Sequence, residues 1–285
     1  MFSRLKRMLR ASAPAADAPV LPLTPPQSMQ VQTPEEALPE LGLIDMSLSG
    51  WFRNETGELL EDFPILAQDS VLDIGCGDGG FTAFAGRQGA EVFIADINQE
   101  NVSAAVKRLQ ETPARAVHPL ITDGDPIPLE DGRVSRVIAM EVLEHVDDPA
   151  KFMAELVRVA HPGALFLLTV PDAAGERAQQ GLAPESYYRK PNHIRIFERD
   201  EFESLVRSAG LTVEKRLHYG FYRTIWWMLY WTTDHPPLHE ADSNPLIEKW
   251  REMWGEILST PQGRKIKQAL DEVLPKSQVI IARKP

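Results

Sequence analysis

The chain has one cysteine, Cys76, in 285 residues, so it can build neither a disulfide framework nor a thiolate metal site. No apolar run approaches the roughly 20 residues that cross a bilayer, and the N-terminus lacks the continuous apolar region of a secretory signal. Basic residues are in deficit, 30 against 41 acidic, for a net charge of −11. Nucleic acid, which requires a basic face, is therefore not assigned as a partner. Four of those basic residues, Arg4, Lys6, Arg7 and Arg10, fall in the first ten positions, leaving 26 basic against 41 acidic side chains, a net of −15, for the rest. Only that tail suits an anionic surface. No internal repeat is present, and these absences together predict a cytoplasmic chain of ordinary globular composition, 43% hydrophobic and 25% charged.

Phe2, Leu5, Met8 and Leu9 have helical spacing among the tail's basic residues, which reads either as a weak interfacial helix on a membrane or as a solvated tail. Seven prolines between Pro14 and Pro39 make the next stretch a linker. Residues 1–40 are thus set apart as a disordered tail and linker. From Leu41 to Pro64 the chain turns apolar, with Trp51, Phe52, Leu59, Leu60 and Phe63, and reads as an aromatic lid or as plain packing.

Val71-Leu-Asp-Ile-Gly-Cys-Gly-Asp-Gly-Gly80 organises the rest of the chain. Val71, Leu72 and Ile74 predict a strand covered on both faces, and the glycines leave a turn whose backbone a ligand can approach. Gly75, Gly77 and Gly80 satisfy the dinucleotide pattern G-x-G-x-x-G, whereas Gly75, Gly77 and Gly79 satisfy the G-x-G-x-G of methyltransferases. Asp73 separates the two. A carboxylate two residues before the first glycine repels a pyrophosphate but suits the ammonium and sulfonium of S-adenosylmethionine.

With Ala95-Asp96 and Glu141-Val-Leu-Glu-His-Val146, this stretch resembles the class I S-adenosylmethionine-dependent methyltransferases, in the branch holding quinone-biosynthesis and sugar methyltransferases. The resemblance runs from Ser70 to His218. It implies an α/β, Rossmann-like sheet of seven strands with helices on both faces, and S-adenosyl-L-methionine as cofactor. Asp73, Gly75, Gly77, Gly79 and Glu141 then belong to the cofactor site. Asp96, 21 residues after Gly75, falls where an acidic residue meets ribose hydroxyls. Asp123 matches the carboxylate near the adenine amino group, or is an ordinary turn aspartate. Ser135 departs from the family's usual aspartate before the fourth strand.

The domain comprises residues 41–219 and 277–285. Between them, 220–276 is a tryptophan-rich helical insert with helices expected at Pro245 to Leu258 and Pro261 to Leu274. Its most apolar stretch, Phe221 to Trp231, reads as core or as one wall of an acceptor pocket, with Trp226 and Trp227 as the wall residues.

Transfer from a sulfonium needs neither metal nor covalent intermediate, so no metal site is assigned and the protein's main task is positioning. A hydroxyl acceptor gains from a base near neutral pH. His145, on the Glu141-to-Val146 motif, and His193, on the loop after strand five, are the candidates; either can instead simply bond its own loop. The expected activity is O-methylation of a small-molecule, sugar or lipid-linked acceptor, with a cell-surface glycan or lipopolysaccharide precursor as the first choice by likeness of layout. The alternative is a non-catalytic, cofactor-binding scaffold whose insert recruits a partner.

Overall fold

The computed structural model describes residues 41–285; the basic tail and its linker lie outside the described residues. Helix α1 (Leu41–Leu48) leads into a small antiparallel sheet of β1 (Trp51–Arg53), β2 (Glu58–Leu60) and β3 (Phe63–Pro64). Trp51, Leu59, Leu60 and Phe63 are fully buried against Leu165, Leu167, Val279 and Ile281. The plain packing alternative therefore describes these four side chains, which cover a sheet face. Phe52 stacks on Phe81 beside the glycine turn at 5.4 Å.

The main sheet runs β6-β5-β4-β7-β8-β10-β9. Its strands are β4 (Ser70–Ile74), β5 (Glu91–Asp96), β6 (Ala116–Ile121), β7 (Val134–Met140), β8 (Ala160–Pro171), β9 (Thr212–Tyr219) and β10 (Ser277–Arg283). Paired neighbours are parallel except around β10, which is antiparallel to both β8 and β9. Helices α2 (Thr82–Arg87) and α3 (Gln99–Leu109) pack on one face; α4 (Pro149–Val159) and α6 (Arg199–Ser208) pack on the other, with α5 (Ala173–Gln179) and a 3-10 turn (Glu185–Tyr188) after β8. Local signals fix several boundaries. Asn98 caps α3 by accepting from Glu100 N, and Asp148 caps α4 ahead of Pro149. Strand β8 starts at Ala160, earlier than the His161-Pro-Gly163 stop implied, because Ala160 pairs with Val134 before a register shift.

Pro171 and Tyr219 both pair with Ser277, so β9 ends and β10 begins at the edge where the parallel strands end. The chain between them must sit over that edge. It forms α7 (Phe221–Tyr230), α8 (Leu238–Ala241), α9 (Pro245–Ser259) and α10 (Gly263–Val273) around a core of Tyr222, Trp226, Tyr230, Ile247 and Trp254. A buried ionic cluster ties this unit to α1: Lys267 Nζ lies 2.5 Å from Asp271, 2.7 Å from Ser49 and 3.4 Å from Asp45, and Asp45 also accepts from Trp254 Nε1. No helix among the described residues is long and apolar enough to cross a membrane.

Candidate functional site

At the end of β4 the backbone turns through Gly75, whose amide donates to Ala95 O at 2.8 Å. A Cβ on Gly75 would lie 2.3 Å from Val142, and one on Gly79 2.8 Å from Ala105, so these two glycines let neighbouring elements close on the turn. Gly77 differs. It has φ +52° yet meets nothing within 4 Å, so the open side of the turn is there.

Asp96 ends β5 against the same turn. Its carboxylate accepts from the amides of Gly77 (3.1 Å) and Asn98 (2.8 Å) and from Asn101 Nδ2 (3.2 Å). Asp73 is buried below, bonded by the Thr82 hydroxyl. Burial pushes its carboxyl up to about 7, against the Thr82 bond. Asp123 comes after β6 and is exposed; its carboxylate accepts from Asp125 N at 3.2 Å, the local bond of a turn aspartate.

A second group gathers at the ends of β7 and β8. Glu141 has φ +55°, a conformation a non-glycine residue holds only when its surroundings fix it. They do so: its amide donates to Thr169 O at 3.0 Å, its carboxylate accepts from the Thr169 hydroxyl at 2.9 Å, and Lys276 forms an ion pair with it. Burial lowers the Lys276 ammonium, but the charge and hydrogen bond of Glu141, with the charges of Glu144 and Glu176, together outweigh it and raise it, so Lys276 stays protonated.

Glu144 is completely buried, and neither carboxylate oxygen finds a hydrogen-bond donor among the described residues. Burial first, then the Glu141 charge, raises it well above the usual carboxylate range. His145 Nε2 lies 3.7 Å from Glu144, and its Nδ1 is 3.2 Å from Pro191 O. Burial and then His193 lower the His145 imidazole, which favours its neutral form. His193 packs 5.1 Å from His145, ring to ring, with Nδ1 3.0 Å from Glu176. Glu176 is only 2% exposed and also accepts from Tyr187 OH at 3.1 Å.

The two histidines named from sequence are therefore neighbours, 46 and 17 residues from the groups that hold them. Each has Nδ1 against an oxygen acceptor, leaving Nε2 for other chemistry. Ligand atoms of Glu144, His145 and His193 all lie within 4.8 Å of one another, a donor set suited to a divalent cation. Sequence reasoning missed Glu144, Glu176 and Lys276. Glu144 lay inside the quoted motif, whereas Glu176 and Lys276 carry no local signal and reach the site through topology alone.

The glycine turn, the acidic end of β5 and the β10 reversal define the architecture of a class I S-adenosylmethionine-dependent methyltransferase. The family model described as a methyltransferase domain matches residues 49–216, and the chain belongs to that family. S-adenosylmethionine is accordingly its cofactor. The chain is 26% identical over 156 residues to a ubiquinone biosynthesis O-methyltransferase of Thiobacillus denitrificans, covering 53% of this chain and 67% of that protein. It is 28% identical over 141 residues to norajmaline N-methyltransferase of Rauvolfia serpentina, covering 48% and 46%. The match thus spans about half the length of the norajmaline enzyme and two thirds of the ubiquinone one. Among solved structures, a geranyl diphosphate methyltransferase in complex with S-adenosylmethionine aligns with TM-score 0.52 at 18% identity over 78% of this chain and 80% of that one. The geranyl diphosphate C-methyltransferase of Streptomyces coelicolor aligns with TM-score 0.51 at 14% identity over 86% and 76%. These structural likenesses speak for the fold alone.

Proposed function

We propose that this protein moves the methyl group of S-adenosylmethionine to a hydroxyl of a small-molecule, sugar or lipid-linked acceptor, in the cytoplasm. The carrying observation is the pair His145 and His193, each with Nδ1 engaged, standing where the parallel strands end. In this reading the S–CH3 bond breaks as the O–CH3 bond forms, and the acceptor proton passes to an imidazole Nε2. Gly75, Gly77 and Gly79 shape the turn that receives the cofactor, Asp96 takes the ribose hydroxyls, and Asp73 faces the methionyl ammonium. Asp123 borders the adenine. Glu141, held by Thr169 and Lys276, braces the boundary between cofactor and acceptor. A cell-surface glycan or lipopolysaccharide precursor is the acceptor we favour.

One observation favours a second reading of the same cluster. Glu144 is buried without a donor beside two histidines whose Nδ1 atoms are already held, the outer arrangement that fixes ligating imidazoles. Glu144, His145 and His193 would then hold a divalent cation, which supplies a Lewis acid that lowers the acceptor hydroxyl's pKa. The test is to transfer labelled methyl into fractionated cell extract, identify the methylated atom by mass spectrometry, and repeat with chelator and with added Mg2+ or Zn2+. Methyl on oxygen supports the proposal, and methyl on nitrogen or carbon overturns it. Loss of transfer on chelation, restored by one cation, selects the second reading; unaffected transfer selects the first.

A further inference from the structure

The rings do not stop at His193. Tyr187 lies 4.4 Å from His193, Trp231 lies 5.2 Å from Tyr187, and Trp227 stacks on Trp231 at 5.3 Å and 26°. An unbroken row of aromatic side chains therefore runs from the histidine pair onto the helical unit between β9 and β10.

Helical spacing divides the rings of this segment into two sets. Tyr222, Trp226 and Tyr230, at i, i+4 and i+8, face the unit's own core and are buried. Trp226 further donates to Asp242 at 2.7 Å. Trp227 and Trp231, four apart on the adjoining face, stay partly exposed. Of the two wall residues expected from sequence, Trp226 follows the core alternative, whereas Trp227 is partly exposed.

Trp231 is also fixed. Its indole N–H donates to Gln179 Oε1 at 2.9 Å, and Gln179, itself buried, donates to Gly175 O at 3.1 Å. With its one polar group committed and Tyr187, Trp227, Tyr230 and His235 packed round its ring, the part of Trp231 left exposed is apolar. A rigid aromatic surface of this kind holds a flat ring at small entropic cost. Glu141 and Glu176 stand at the same end of the sheet against Lys276, so an anionic group there is disfavoured.

We propose that Trp227, Trp231 and Tyr187 form a subsite for an uncharged, flat-faced ring of the acceptor, aryl or sugar, next to the histidine pair. It rests on the methyl-transfer reading only in calling the ligand an acceptor. The test uses the full chain saturated with S-adenosylhomocysteine, with phenol and methyl α-glucopyranoside as separate probes followed by saturation-transfer NMR. At least one probe should bind the wild type. Trp231→Ala should weaken it about tenfold, while Trp231→Phe, which keeps a ring, stays within about threefold. S-adenosylhomocysteine affinity should be unchanged in both. Phenol as the binder assigns an aryl acceptor, and the glucoside assigns a sugar. Absence of binding by both probes, or equal binding by wild type, Trp231→Ala and Trp227→Ala, overturns the subsite. A wild type that binds a ring but transfers no methyl would fault the transfer reading and leave the subsite standing.

Discussion

Asp73 is a buried carboxyl whose proton couples to stability and, in the proposed site, to the cofactor. Its carboxyl is pushed from 3.8 to about 7 by burial, so the folded, cofactor-free protein keeps a proton that the unfolded chain has lost. Stability contributed by this group is therefore lost as pH rises from about 4 to about 7. Asp73→Asn should flatten that slope, read from denaturation midpoints across the window; parallel slopes in wild type and variant would contradict it. A cationic methionyl end favours the ionised carboxylate, so S-adenosylmethionine binding near pH 6 should release a proton, measurable by calorimetry in two buffers of different ionisation enthalpy. Asp73 and Asp96 were legible because each stands at a fixed offset from the glycines. Glu176 was not, because its meaning comes from Tyr187 and His193 closing on it through a later loop.

Elements were legible where their signals are local. The span of β6, the Asn98 and Asp148 caps and the start of α9 at Pro245 all arise from short patterns that the fold retains. The role of the β1–β3 sheet was not, since a run of aromatic residues reads equally as lid or core until the face it covers is known. Lys267 likewise carries no local sequence signal of its role. It is fully buried in α10 and balances Asp45 of α1 and Asp271. Lys267→Met should cost about 3–5 kcal/mol in denaturant unfolding, because two carboxylates then lose their buried cation. Adding Asp45→Asn and Asp271→Asn should recover much of that loss. A single variant within about 1 kcal/mol of wild type would mean that the cluster does not hold α1 to the helical unit.

Over the whole molecule, the antiparallel β10 matters most for the site. Because it begins at the edge where the other strands end, it brings Lys276 to Glu141 and seats four helices over the ligand side. In the proposed site the cofactor half comes from contiguous motifs between Val71 and Asp96, and the acceptor half from β7, β8, the loop to His193 and the helices before β10. This division explains why the cofactor could be read from sequence while the acceptor could not. It also sets the most direct test of the account, which is labelled methyl transfer from S-adenosylmethionine by wild type and by His193→Ala, with cofactor affinity measured alongside. The wild type should transfer methyl, His193→Ala should lower turnover by roughly 10² or more, and cofactor affinity should stay within about twofold. Undiminished turnover in His193→Ala, or a wild type that binds S-adenosylmethionine and transfers to no acceptor, would contradict it.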